Sequence, residues 1–330
     1  MTVRAIFGLP QLPLAKWVDS ATQWLLTHAT GLFHVISSVL GSIDDAISNA
    51  LHGIPEAALF AIVMVLAWEF IGLTGVVGTF VALGLISNLG LWSPTLDTLA
   101  LTLTATVFSL AIALPVGIWA GLRERRESFV KPIVDFMQTM PPYVYLIPSV
   151  MFFSVGAVPA IISTIIFASA PPIRMTTLGI RQVPTDKIEV STAFGATRSQ
   201  ILRKVQLPLA LPSILVGVNQ CIMMSLSMVI IASMIGANGL GQNIINAITQ
   251  VDVGDGFVAG LAVVLLAIVL DRITHGAGRR FSRQQGAMRT WQLPLSILLV
   301  RGWQSMHGRR AKQDGAPESH STVTLDHLKH

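Results

Sequence analysis

Between residues 14 and 51 apolar and polar positions alternate at helical spacing, with Trp17, Trp24, Leu25, Phe33 and Ile36 on apolar positions and Asp44, Asp45 and Asn49 following. That pattern predicts an amphipathic segment lying on a membrane surface. From residue 57 the pattern changes, and apolar runs occupy about residues 57–73, 74–92, 96–122, 133–154, 155–170, 209–235 and 257–273. Each reaches or approaches the roughly 20 residues that a helix needs to cross a hydrocarbon core of about 30 Å. The expected fold is therefore all-α, a polytopic membrane protein with about seven transmembrane helices. Pro and Gly fall inside several runs, and neighbouring helices can satisfy the backbone groups they free. Residues 275–330 turn basic and polar, interrupted by the short apolar run 291–300. That run is too brief to cross and reads as an interfacial or packing segment; the final stretch, 309–330, reads as disordered. Three regions follow: an N-terminal extracytoplasmic or interfacial segment, 1–55; a transmembrane domain, 56–274; and a cytoplasmic tail, 275–330.

Composition supports this division. Hydrophobic residues make up 52% of the 330, charged residues 12%, and mean hydropathy is +0.66, a balance at odds with a fully water-exposed surface. Charge then sets the orientation. All Lys and Arg except Arg4 and Lys16 fall in 123–131, in 174–204 or after residue 271, while the intervening loops near Ser93, near Gly156 and over 236–256 carry none. Basic loops stay on the cytoplasmic side, so the N-terminus is expected outside and the C-terminus inside a bacterial cytoplasmic membrane. The net charge of +5 is explained by the same asymmetry facing anionic lipid and requires no nucleic acid. The one cysteine, Cys221, lies in an apolar run and excludes an internal disulfide.

The segment 173–208 carries the most information. Thr185 or Asp186 is placed to cap a short helix with Glu189 near its N-terminal turn. Gly195 is placed to end it in the left-handed conformation, and Thr197 with Gln200 forms a capping-box pattern for a second helix. Pro208 marks re-entry into the membrane. A polar helix pair held between two spans presents a knob that another protein can grip, and the small residues Ala193 and Gly195 permit close approach. Two other readings of the pattern are a hairpin without a partner and a DNA-binding helix-turn-helix. A recognition helix tethered at both ends beside a bilayer is poorly placed to enter a major groove, which argues against DNA.

The stretch 189–208 resembles the EAA loop of ABC-importer permeases, a pattern of Glu-Ala-Ala, three residues, Gly, nine residues, Ile, one residue, Leu-Pro. Glu189, Gly195, Val205, Leu207 and Pro208 fall in register, with Val190 and Ser191 replacing the alanines and Val205 replacing Ile. Residues 137–145, 171–184, 236–241 and 270–274 further resemble the glycine betaine/proline betaine (ProW-like) permeases, and the likeness spans about residues 14–274. The resemblance implies a type I ABC-importer permease fold and a coupling loop formed by Glu189, Ala193, Gly195, Val205, Leu207 and Pro208. It also implies a second permease copy, a pair of ATPase subunits holding ATP and Mg, and an extracytoplasmic substrate-binding protein. The permease itself is then not an enzyme and holds no cofactor.

Other chemistry is sparse. The sequence contains no Gly-x-x-x-x-Gly-Lys-Ser/Thr phosphate loop, zinc-protease pair or Gly-x-Ser-x-Gly elbow. Gly236, Gly239 and Gly241 read as a tight turn before a short helix rather than a nucleotide fingerprint. Glu69 and Asp271 lie within or at the edge of apolar runs, where an ion pair such as Asp271 with Arg272 competes with a transport role. Met140, Tyr143 and Tyr145 are candidates to line a pathway for a quaternary amine through cation–π attraction, against ordinary packing. The alternative to an ATP-driven permease is a secondary transporter or channel for small zwitterions. Its expected intramembrane ionisable groups are few here.

Overall fold

The computed structural model describes residues 13–288, which hold helices and no strand. The chain divides into two units, residues 1–280 and 281–330, and of the second only 281–288 fall within the described residues. The predicted apolar run 291–300 and the polar stretch 309–330 lie outside them.

The N-terminal region forms α1 (Leu14–His28) and α2 (Thr30–Gly53), bent by 76° at their junction. Next come α3 (Glu56–Ile71) and α4 (Leu73–Asn88), separated at Gly72, whose φ of 89° allows the chain to reverse without a Cβ penalty. The bundle continues through α5 (Trp92–Gly121), α6 (Glu124–Thr139), α7 (Tyr143–Phe153) and α8 (Ala157–Arg181). It closes with α9 (Thr185–Ala193), α10 (Arg198–Ile201), α11 (Leu207–Ala232), α12 (Leu240–Gln250) and α13 (Val253–Met288).

Among the described residues, four stretches are long and apolar enough to cross a membrane: Trp92–Gly121, Ala157–Arg181, Arg198–Ile235 and Val253–Arg279. A fifth is added if the bent α1–α2 pair counts as one span. The expected number of about seven is therefore not reproduced. Runs 57–73 and 74–92 fall on the 16-residue helices α3 and α4. Run 133–154 is not one helix at all. Met140, with ψ of 134°, is extended because the ring of Pro141 disfavours the helical conformation of the residue before it. The run is thereby split between α6 and α7. Run 155–170 errs the other way: α8 continues through Pro171 and Pro172 to Arg181. The supposed tail likewise begins as helix, because α13 runs to Met288.

α8 is the centre of the fold, packed against both α5 and α11. Small residues make this possible. A Cβ on Gly117 would lie 2.7 Å from Thr176 Cβ, and one on Gly179 would lie 2.8 Å from Ser213 Cβ, distances that only glycine permits. Around these crossings Leu101, Ala105, Ile161, Met228 and Val229 form a buried apolar cluster. α2 crosses three helices rather than pairing with one. Phe33 stacks on Phe152 of α7 at 4.8 Å, Gly41 faces Val158 of α8, and Asp44 accepts a hydrogen bond of 3.1 Å from Thr104 of α5. His52 adds a contact of 3.2 Å to Ser93 at the start of α5.

The interhelical contacts sort the loops into two ends. Arg181 pairs with Glu127 at 2.7 Å and Glu124 at 3.6 Å, which brings the α5–α6 turn beside the end of α8. At the opposite end Gly156 donates its N–H to Ile235 at 2.9 Å, and Leu240 donates its N–H to Thr98 Oγ1 at 2.8 Å. The first end carries the basic residues and the second is free of Lys and Arg in its loops.

Candidate functional site

The segment that leaves the basic end of α8 is helix, glycine turn, helix, as its residue types dictate. Val183 and Ile201 are buried and anchor its two ends, while no residue of α9 is buried. Gly195 has φ of 77°, the left-handed conformation that glycine adopts freely. The capping box is complete: Thr197 N–H donates to Gln200 Oε1 at 2.8 Å, and Gln200 N–H donates to Thr197 Oγ1 at 3.4 Å. This reciprocal bonding satisfies N–H groups that the first turn of a helix leaves without partners.

The start of α9 differs from expectation. Pro184 is its N-cap, no side chain caps it, and Asp186 rather than Glu189 occupies its first turn. Proline presets the entry geometry without needing a side-chain cap. Glu189 sits one turn further along, exposed, where the helix dipole acts on it less. Ala193 and Gly195 are also exposed.

Val205 lies in a five-residue π-helical turn, 202–206, and Leu207 closes it by donating its N–H to the carbonyl of Leu202. Leu207 and Pro208 then open α11. Proline has no N–H, and its ring presses on the preceding turn, so widening just before Pro208 relieves both effects. Glu189, Ala193 and Gly195 thus lie on an exposed projection, whereas Val205, Leu207 and Pro208 are half-buried at its root, where Leu207 packs against Ile180 of α8 and Ala210 and Ile214 of α11.

One feature of this projection has no counterpart in the motif. Phe194 is 88% exposed and Val190, one turn earlier, is 56% exposed. These are the two most exposed large apolar side chains of the projection. The signal was present in the sequence as an aromatic immediately before Gly195.

The pathway candidates are not assembled into one cage. Tyr145 is buried, donates its hydroxyl to the Met137 carbonyl and lies 6.0 Å from the Phe167 ring. Tyr143 is exposed, and Met140 packs against the cluster that contains Tyr145. Asp271 is bound across helices instead of to Arg272: Asn219 Nδ2 donates to it at 3.1 Å, and Thr274 Oγ1 donates to Asn219 Oδ1 at 2.6 Å. These hydrogen bonds join α11 to α13. Gly236 and Gly239 both have positive φ at the turn before α12, in agreement with the tight-turn reading.

Comparison with known proteins defines the class. Residues 113–284 match the family described as the binding-protein-dependent transport system inner membrane component, and the chain belongs to that family of permeases. It is 47% identical over 268 residues to the glycine betaine transport system permease protein OpuAB of Bacillus subtilis, with 81% of this chain and 95% of the relative covered. It is 45% identical over 288 residues to the glycine betaine/proline betaine transport system permease protein ProW of Escherichia coli, with 87% and 81% covered. Among solved structures, an inward-facing MetNI methionine ABC transporter chain matches with a TM-score of 0.51 and 27% identity, over 57% of this chain and 93% of that one.

Proposed function

We propose that this chain is the membrane-spanning permease subunit of an ATP-driven importer for compatible solutes such as glycine betaine, proline betaine or choline. The exposed helix–glycine–helix projection carries this reading. It is stiffened by a capping box, rooted in the central helices and tipped by Phe194, the form a lever needs if another protein is to drive it. The solute class follows from the names of the relatives at 45% and 47% identity. A pair of ATPase subunits grips the projections of two permease copies and holds ATP and Mg, while an extracytoplasmic binding protein delivers the solute. Closure of the ATPases then tilts α8 and α11 together and switches access from one end of the bundle to the other.

Reconstitution tests the partnership. Uptake of labelled glycine betaine into vesicles should require this chain, the ATPase and the binding protein together, with ATP on the ATPase side. Gradient-driven uptake by this chain alone in ATP-free vesicles would establish the secondary-transporter alternative.

The orientation follows from charge, with the basic end cytoplasmic. In a Cys221→Ser background, single cysteines placed at Ser128 or Ser191 should resist an impermeant thiol reagent in intact cells and react after permeabilisation. A cysteine at Thr249 should react in intact cells. Labelling of position 191 from outside would invert the topology and remove the ATPase from reach of the projection.

A further inference from the structure

We propose that the outward face of α11 lines the solute pathway and that the carboxamide of Gln220 is its selective contact with a zwitterion, an assignment that rests on the permease reading. Gln220 stands near the centre of the 26-residue α11, is exposed, and has no hydrogen-bond partner among the described residues. Ser227 lies two turns further on the same face, about 10 Å along the axis. It too is exposed, and its hydroxyl donates to the Met223 carbonyl of its own helix at 3.0 Å. Hydrocarbon offers the Gln220 amide no partner, so exposure at this depth is costly against lipid and calls for water or a polar solute. The neighbouring spans differ in their middle parts: α5 exposes Leu103, Val107 and Ile112, and α13 exposes Val264 and Ile268. Those faces suit lipid.

The chain pairs an amide where a neighbour is at hand, since Asn219 bonds Asp271 and Thr274 of α13. One position on, a helix has turned by about 100°, which takes Gln220 off that contact. Nor is its face built for tight packing against a second copy. Close helix contacts in a membrane use small residues, and Ala210 and Gly217, which supply them on α11, are buried against α8. Beside Gln220 stand Met223 and Met224, half-buried, whose unbranched thioethers adapt to a passing shape. A carboxamide offers two N–H donors and a carbonyl acceptor without net charge. Its N–H groups can bond the carboxylate of a zwitterion, and its neutrality lets the solute leave, which a full counter-charge would hinder. Because α11 also roots the projection, this wall moves when the projection is driven.

Thiol chemistry in a Cys221→Ser background tests whether water reaches this face. In membrane vesicles open to reagent on both sides, Gln220→Cys and Ser227→Cys should react with a cationic, membrane-impermeant methanethiosulfonate about tenfold faster than Val107→Cys and Val264→Cys, because the reactive thiolate forms where water reaches. Saturating glycine betaine should slow the reaction of Gln220→Cys and leave that of Val264→Cys unchanged. In the transporter assembled with its ATPase and binding protein, Gln220→Leu at parental abundance should lower glycine betaine uptake about tenfold, the worth of one hydrogen bond to a charged group. Gln220→Asn should recover part of that loss.

Reaction of Gln220→Cys and Ser227→Cys as slow as that of the two valine positions would place the face against lipid or protein and overturn the assignment. Exclusion of reagent together with an oxidant-induced disulfide between two copies of Gln220→Cys would identify a packing face instead. Parental uptake by Gln220→Leu, or labelling of Gln220→Cys that glycine betaine does not slow, would remove Gln220 from contact with the solute. Failure of the permease reading shows itself differently: the parental chain would give no uptake with its partners, while the labelling pattern would still decide whether the face is wet.

Discussion

Gly195→Val is expected to reach the membrane at parental abundance and to abolish ATP-driven uptake. The glycine has φ of 77°, and a β-branched residue held there costs on the order of 1–3 kcal/mol. The turn relieves that strain by changing direction, which swings α9 and Phe194 away from their present position. Within the chain nothing opposes a side chain at this site, since a Cβ on Gly195 would have no atom within 4 Å. The bundle should therefore fold normally, and the damage should be confined to docking. Gly195→Ala is expected to fall between the variant and the parent. Glu189→Ala should be mild, because its carboxylate lies beyond the first turn of α9 and contributes about 0.3–1 kcal/mol or less. Membrane abundance, co-purification of the ATPase and solute-stimulated ATP hydrolysis, measured in parallel, separate these effects. Normal uptake by Gly195→Val at parental abundance would remove the projection from the coupling pathway.

Gly217→Leu should fail differently, by preventing the bundle from closing. A Cβ there would lie 2.9 Å from both Met175 Cβ and Pro172 Cα, and backbone at that distance cannot yield as a flexible side chain can. Overpacking of this kind costs typically about 1–3 kcal/mol, occasionally more. The strain falls on the crossing of α8 with α11, the pair that roots the projection. The expected result is loss of the monodisperse protein peak after detergent extraction, with a lower melting temperature for any material that remains. Gly78→Leu on α4, where a Cβ would have no atom within 4 Å, should behave like the parent. Similar melting of the two variants would show that the crossing is looser than its distances imply.

The two variants also separate what is local in this protein from what is not. The turn at Gly195 and the capping box at Thr197 and Gln200 are set by residues within five positions of one another, so residue type alone disclosed them. The grouping of Lys and Arg away from the loops at one end was equally legible, because it depends on sequence order. The motif register from Glu189 to Pro208, and with it the family, belonged to the same category.

Hydropathy failed where a neighbour or a ring decided the outcome. Run 133–154 is apolar enough to resemble a span, yet Pro141 forces Met140 into extended backbone and splits it. α8 passes through Pro171 and Pro172, both buried in a helix packed against α5 and α11, information that a window of hydropathy does not contain. The partner of Asp271 was also beyond sequence reading: Arg272 is adjacent in the chain, but Asn219, 52 positions away, supplies the hydrogen bond.

By itself, then, the sequence determined an all-helical membrane permease with a basic end and a protruding helix–glycine–helix loop. Those properties follow from solvent preference, charge and local backbone chemistry. Tertiary structure alone decided which apolar runs become continuous helices, that α8 stands at the centre, and that Phe194 crowns the projection while Tyr145 is buried. Each of these depends on contacts between segments far apart in the chain, and such contacts exist only after the helices have packed.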